Sequence, residues 1–196
     1  KKLIFFPSTF MHAVDKIYQK TDAFYRTNNI HTIGMCNAST RNTPKPPWLN
    51  RDINCEINKN KNVLTFSNRQ LKKGFDFLYK LGIKNNKYVC LYVRDEKYLN
   101  IKMPSNDWSH HSFRNCDIDN FYECADYLTK QGFHVIRIGS IVNKSIKTNG
   151  NSMIIDYSTN GLRTDFLDIF LLANCSFCIS TSGGLDNVSL IFNRPV

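Results

Sequence analysis

No apolar run in this chain approaches the roughly 18 residues that a membrane-crossing helix needs. The early apolar stretch Leu3-Ile4-Phe5-Phe6 is too short for the core of a signal peptide, and Pro7 stops it. Lys and Arg form no block, and the aromatic signature of an RNA-binding sheet is missing. Cysteine is present but poorly arranged for chemistry: the seven residues, at 36, 55, 90, 116, 124, 175 and 178, are an odd number. Cys175-Ser-Phe-Cys178 has metal or redox spacing, yet no second pair accompanies it and it straddles a helix end and a strand. Reduced thiols in a cytoplasmic protein fit this usage better than a disulfide framework. Of the four Asn-x-Ser sequons, at Asn37, Asn143, Asn174 and Asn187, the last two border the expected core, which argues against a glycosylated secreted protein.

What is present is a globular composition. With 196 residues, 42% hydrophobic and 13% aromatic, the chain can bury a core of one domain or one and a half. The net charge of +10 attracts nucleic acid, anionic lipid or a phosphorylated substrate. The cations are spread, however, among 23 Asn and plentiful Ile, Tyr and Phe, a mixture that an AT-rich coding sequence yields without selection for charge. The charge permits such partners without indicating one.

Residues 1–63 read as the end of one domain and a linker. Leu3–Phe6 is an expected strand, Ser8–Arg26 a helix carrying Met11 and Val14, and Ile30–Met35 another strand. Arg41–Asn62 is a polar crossover whose Pro44-Lys-Pro-Pro-Trp48 is a stiff connector or a recognition segment. A second domain spans 64–196. Ser67-Asn-Arg-Gln70 is a capping box, Leu71, Phe75, Leu78 and Leu81 follow at helical spacing, and Gly82 closes the helix. Strands are expected at Tyr88–Val93, Phe133–Ile138, Met153–Asp156 and Ser176–Ser180. Helices are expected from Asp117 to Gly132, from Thr164 to Ala173 and from Leu185 to Phe192. Strand–helix repetition of this kind predicts an α/β fold, a Rossmann-like parallel sheet with flanking helices. A further strand is expected to begin at Arg194-Pro195-Val196, so that the sheet is incomplete at its C-terminus and these 196 residues alone have little activity.

Ligands of such sheets bind beyond the carboxyl ends of the strands, which collects separated segments into one candidate site. The first strand ends in Arg94 and Asp95, the second in Arg137 and Gly139, and the fourth in Ser180, Thr181, Ser182, Gly183 and Gly184. The hydroxyls, glycines and helix start of the last group read as a phosphate cradle, or as an ordinary strand-to-helix turn. The loop from Trp108 through His110, His111 and Arg114 to Asn115 should lie over the same edge. Arg94 is the most informative member, because a buried strand that ends in a fixed cation needs an anion. Phosphate is one answer; a pair with Asp95, Asp165 or Asp168 is the other. His110-His111 reads as a surface or acceptor-contacting pair, since adjacent residues rarely chelate one ion.

In order and spacing, residues 89–95 (VCLYVRD) with Tyr98-Leu99, 113–118 (FRNCDI), 127–139 (YLTKQGFHVIRIG), 155–157 (IDY), 164–170 (TDFLDIF), 179–185 (ISTSGGL) and 191–196 (IFNRPV) form a specific set. Over about two thirds of the chain this set resembles an uncharacterised bacterial family of glycosyltransferases from surface-polysaccharide gene clusters, of the O-antigen, lipopolysaccharide or capsule type. That family is similar, distantly, to fucosyltransferases of the GT-B architecture, in which His-x-Arg ends a strand of the donor domain. Here Tyr92-Val93-Arg94 stands in its place, so the Arg carries over and the His does not.

The resemblance implies that 64–196 is the donor half of a GT-B enzyme. It further implies that Arg94 and 180–184 bind a UDP-, GDP- or dTDP-sugar, to which the strand-end rule adds Arg114, Asn115, Arg137 and Gly139, and that a glycan or lipid-linked glycan is the acceptor. The expected place is the cytoplasm, at the inner face of the membrane. No cofactor, metal or nucleic acid is expected. Asp95, Glu96 and His111 are the candidate bases. A non-catalytic nucleotide- or polyanion-binding module is the rival reading. The acidic residues near the proposed edge are not clustered for a hard cation, which prefers several oxygen ligands. Transfer by the whole enzyme is therefore expected to survive EDTA. Activity abolished by chelation and restored by manganese or magnesium would sink the GT-B assignment.

Overall fold

In the computed structural model, which describes residues 64–196, the first element begins where Ser67 caps it. Ser67 Oγ accepts from the Gln70 amide while the Ser67 amide donates 2.9 Å to Gln70 Oε1, so two orphan donors of the helix start are satisfied. Helix α1 runs Asn68–Lys80 and ends at Leu81, after which Gly82 takes a positive φ of 81° that few other residues tolerate. The strands and helix expected before residue 64, and the proline cluster, lie outside the described residues.

Four strands follow: β1 Tyr88–Tyr92, β2 His134–Ile138, β3 Ile154–Asp156 and β4 Cys178–Ser180. All pair in parallel, in the order β3-β2-β1-β4. Between them lie α2 Lys97–Lys102, α3 Tyr122–Lys130, α4 Asp165–Asn174 and finally α5 Asp186–Ile191. The architecture is α/β, a parallel sheet with flanking helices, and is consistent with a Rossmann-like fold. The chain moves outward from β1 to β2 to β3, then returns past β1 to place β4 on the other side. The gap between the carboxyl ends of β1 and β4 is thus the point where winding reverses, where such sheets bind ligands.

Side-chain alternation along β1 sorts the core into two layers. Tyr88 and Cys90 join Leu78 of α1 and Phe170 to Leu172 of α4 on one face. Leu91 and Val93 join Val135, Ile118 and Ala125 of α3 on the other. Each fully buried Leu, Ile or Phe contributes about 1.5–3 kcal/mol, which is why β1 reads as an unbroken apolar run. Cys90 lies in register with Cys178, and Cys175 is buried behind them; all the described cysteines are free thiols. Burial pushes the Cys178 thiol up to about 12. These are small core hydrophobes rather than a redox pair.

One local reading is corrected and one element is added. The helix expected from Asp117 starts instead as a 3-10 turn over Ile118–Phe121, because Asp117 Oδ1 accepts from the Asp119 amide, and α-helix begins only at Tyr122. Lys97–Lys102 forms a short helix, too short for its apolar spacing to announce it. Among the described residues no helix is long and apolar enough to cross a membrane.

A glycine makes a close contact between α1 and α4. A Cβ on Gly74 would fall within the van der Waals envelope of the fully buried Phe170 ring. Gly74→Val is expected to cost about 1–3 kcal/mol by overpacking. Denaturant titration reads this as a lower midpoint at unchanged slope, and an unaltered midpoint would mean that α1 and α4 do not meet at Gly74.

Candidate functional site

Arg94, two residues past the end of β1, is clamped on both sides of its backbone. Its amide donates 2.9 Å to Thr181 Oγ1 beyond β4, and its carbonyl accepts from the Cys116 amide at 3.0 Å. Its guanidinium donates through Nη1 to the His111 carbonyl (2.7 Å) and to Asn115 Oδ1 (2.5 Å). Only 9% of the residue is exposed, yet no ion pair among the described residues includes it. The internal carboxylates weighed as its partners are engaged elsewhere: Asp165 and Asp168 hold Arg163 at 3.0 and 2.6 Å. Asp168 itself is 3% exposed, with Oδ1 unpartnered and its carboxyl pushed up by burial to about 6.

A second guanidinium stands beside the first. Arg114 Nη2 lies 2.5 Å from His111 Nδ1, and its buried Nε has no partner among the described residues. Burial lowers the Arg94 pKa, and the charge of Arg114 lowers it further. His111 is likewise held below its usual value, first by burial and then by His110, Arg114 and Arg94. A neutral imidazole accepting at Nδ1 carries its proton on the other nitrogen. Trp108 stacks on that ring at 5.8 Å and 14°. The loop from Trp108 to Asn115 thus reaches the β1 edge, as its place in the chain suggests.

The other expected members fall into different roles. Asp95 Oδ1 accepts from the Lys97 amide and Oδ2 from the Asn143 amide, so the carboxylate ties two loops together. Glu96, exposed, accepts from Asn115 Nδ2 at 3.3 Å. Arg137 is 1% exposed and pairs with Asp156 at 3.4 Å on the neighbouring strand β3. Gly139 answers a packing need, since a Cβ there would come within 2.8 Å of Val142.

The segment Ser180 to Gly184 is not an open cradle. Ser182 N donates to Ser180 Oγ, while Ser180 Oγ and Gly183 N both donate to Asp186 Oδ2, at 2.7 and 3.0 Å. Asp186, only 8% exposed, occupies the position in which an outside anion was expected. Its signal was visible as an acid in the first turn of the following helix, where carboxylates favour free amides. Gly183 is needed because a Cβ there would lie 2.5 Å from the Tyr92 hydroxyl, and burial raises that phenol to about 12. Of this group, Thr181 is the one that hydrogen-bonds Arg94. Gly184 has open space around it.

Sequence reasoning also overlooked Asp117-Ile118-Asp119, an Asp-x-Asp. Lys144 Nζ sits 2.7 Å from Asp117 and 2.8 Å from Asp119, filling the place between them. Among the described residues no group of His, Cys, Asp or Glu is placed to hold a metal ion. Beside Arg94 opens a cleft of about 350 Å³, whose wall includes Asp95, Glu96, Asn115, Asp117, Arg137 and Asn143. Comparison with protein-family models, curated proteins and solved structures finds no match to this chain.

Asp186→Ala is expected to strand the Ser180 hydroxyl and the Gly183 amide, at a cost of about 1–3 kcal/mol. Chemical denaturation should show the loss. Were the loop an anion cradle merely shared with Asp186, stability would hold and inorganic phosphate would bind more tightly instead.

Proposed function

We propose that residues 64–196 are the donor-binding domain of a metal-independent GT-B glycosyltransferase. In this reading the enzyme moves a hexose or fucose-like sugar from a nucleotide diphosphate onto a surface glycan at the cytoplasmic face of the membrane. One observation supports the phosphate part above all others: Arg94 and Arg114, two guanidiniums that repel one another, lie at the winding-reversal edge with no carboxylate partner among the described residues. A diphosphate between them relieves that repulsion and supplies the bidentate acceptors that a guanidinium matches. The sugar and the direction of transfer come from the family resemblance, not from the geometry.

In the proposed transfer the bond from the anomeric carbon to the phosphate oxygen breaks, and the nucleoside diphosphate leaves with the electron pair. The acceptor hydroxyl oxygen forms the new bond and gives up its proton. Arg94 and Arg114 stabilise the charge that grows on the leaving group. Glu96 is the candidate base with a carboxylate oxygen to spare. Both Asp95 oxygens accept backbone amides, and His111 faces Arg114 with its unprotonated nitrogen. That scarcity of free bases favours one alternative, a nucleotide-binding module that holds the same ligand without transfer. Turnover of a labelled nucleotide sugar separates the two.

Arg94→Ala should weaken UDP, GDP or dTDP binding by about 1.5–3 kcal/mol, the worth of a hydrogen bond to a charged group. Turnover should fall further, because leaving-group charge grows toward the transition state. Arg94→Lys should rescue only partly, since a point charge lacks the fork. Calorimetric titration and thermal melts on the same variants decide: a lowered melting temperature with unchanged nucleotide affinity would take Arg94 out of the site.

A further inference from the structure

The cleft beside Arg94 differs in chemistry from the paired guanidiniums. Three of its wall carboxylates, Asp95, Glu96 and Asp117, face two cations, Arg137 and Lys144. Neither cation is available to an outside anion: Arg137 is paired with Asp156, and Lys144 with both Asp117 and Asp119. What the wall offers a ligand is acceptors. Glu96 uses one oxygen on Asn115, and each Asp95 oxygen has spent one lone pair on a backbone amide. The donors left are side-chain amides; Arg137 Nε also lacks a partner, but it is shielded in a residue only 1% exposed whose charge Asp156 answers. Val93 and Ile118 supply an apolar floor. The cleft holds about 350 Å³, room for a monosaccharide ring with bridging waters.

We infer that this cleft takes the sugar of the donor and selects a neutral, hydroxyl-rich ring against an acidic one. The inference rests on the reading of Arg94 and Arg114 as the diphosphate clamp. Asn115 joins the two parts, since its amide oxygen accepts from Arg94 and its amide nitrogen donates to Glu96. A ring attached to a phosphate at Arg94 therefore enters a wall of carboxylates. Its hydroxyls donate to those oxygens, as a site built for hydroxyl groups requires. A sugar carboxylate in the same place meets like charges with no free cation to answer them.

Cys116 lines the cleft, while Cys124 is exposed on α3 away from it, so alkylation by iodoacetamide gives a readout with an internal reference. The intact chain is incubated with UDP, UDP-glucose, UDP-glucuronate and free glucose, and with the corresponding GDP and dTDP compounds. Peptide mass spectrometry then follows both thiols, and calorimetry follows binding. At least one nucleotide hexose is expected to slow Cys116 alkylation severalfold beyond its bare diphosphate, with Cys124 unchanged and the hexuronate ineffective. Glu96→Gln, at an exposed position, should narrow the preference for hexose over hexuronate by roughly tenfold, the size of one lost charge repulsion.

Bare diphosphates that bind while no hexose protects Cys116, or a hexuronate that protects as well as the hexose, would overturn the inference and leave the clamp standing. Free glucose that protects Cys116 while no nucleotide binds would uphold the cleft and remove the clamp. If no ligand protects, the cleft assignment falls.

Discussion

The strand β1 must be paired along both edges and covered on both faces, and the rest of the domain is arranged to meet that demand. Five nearly continuous apolar residues cannot face water, and their amides and carbonyls cannot be left without partners in a core. β2 supplies one edge over its whole length and β4 the other, while α1, α4 and α5 cover one face and α3 the other. Everything at the candidate site is where it is because β1 ends there.

That edge holds two answers to the same electrostatic problem. At the β4 loop the free amides and hydroxyls are satisfied from within, by Asp186. At Arg94 and Arg114 no carboxylate among the described residues closes an ion pair, although Asp95 and Glu96 act on Arg94 from a distance, and the guanidiniums are anchored by a carbonyl, an amide oxygen and an imidazole nitrogen. Neutral anchors fix the direction of a guanidinium without neutralising it. The first arrangement is a finished turn; the second is a positioned pair of charges. Both lie within one hydrogen bond of each other, through Thr181 Oγ1 and the Arg94 amide.

The elements were legible where physical chemistry acts locally. The capping box at Ser67, the positive-φ glycines Gly82 and Gly132, the Thr164 cap and the apolar β1 run all depend on neighbours in sequence. Arg94 was legible too, as a cation at the end of a buried strand. The destinations of side chains over long separations were not. Arg137 resembles Arg94 as a cation near the end of an apolar strand, yet it lies within β2, where it finds Asp156 in register one strand over. The Ser180–Gly184 loop has the composition of a phosphate cradle, and only the folded turn shows that Asp186 has reached back into it. Lys144 between Asp117 and Asp119 is a further case, joining residues 25 or more apart in the chain. Composition names the groups that need partners; tertiary packing chooses among them.

The buried acid Asp168 has a consequence for proton uptake. Its carboxyl reaches about 6 in the folded chain, whereas an unfolded chain releases the same proton near 3.9. Between these values the folded form binds a proton that the unfolded form has already lost, so this group favours folding more as the pH falls and less as it rises. Most paired carboxylates act in the opposite sense, and Asp117 and Asp119 beside Lys144 and Asp126 beside Lys130 lie below their usual range. Asp168 is therefore a proton-linked group whose contribution grows toward mild acid, set against Asp117, Asp119 and Asp126 at the surface, which pull the other way.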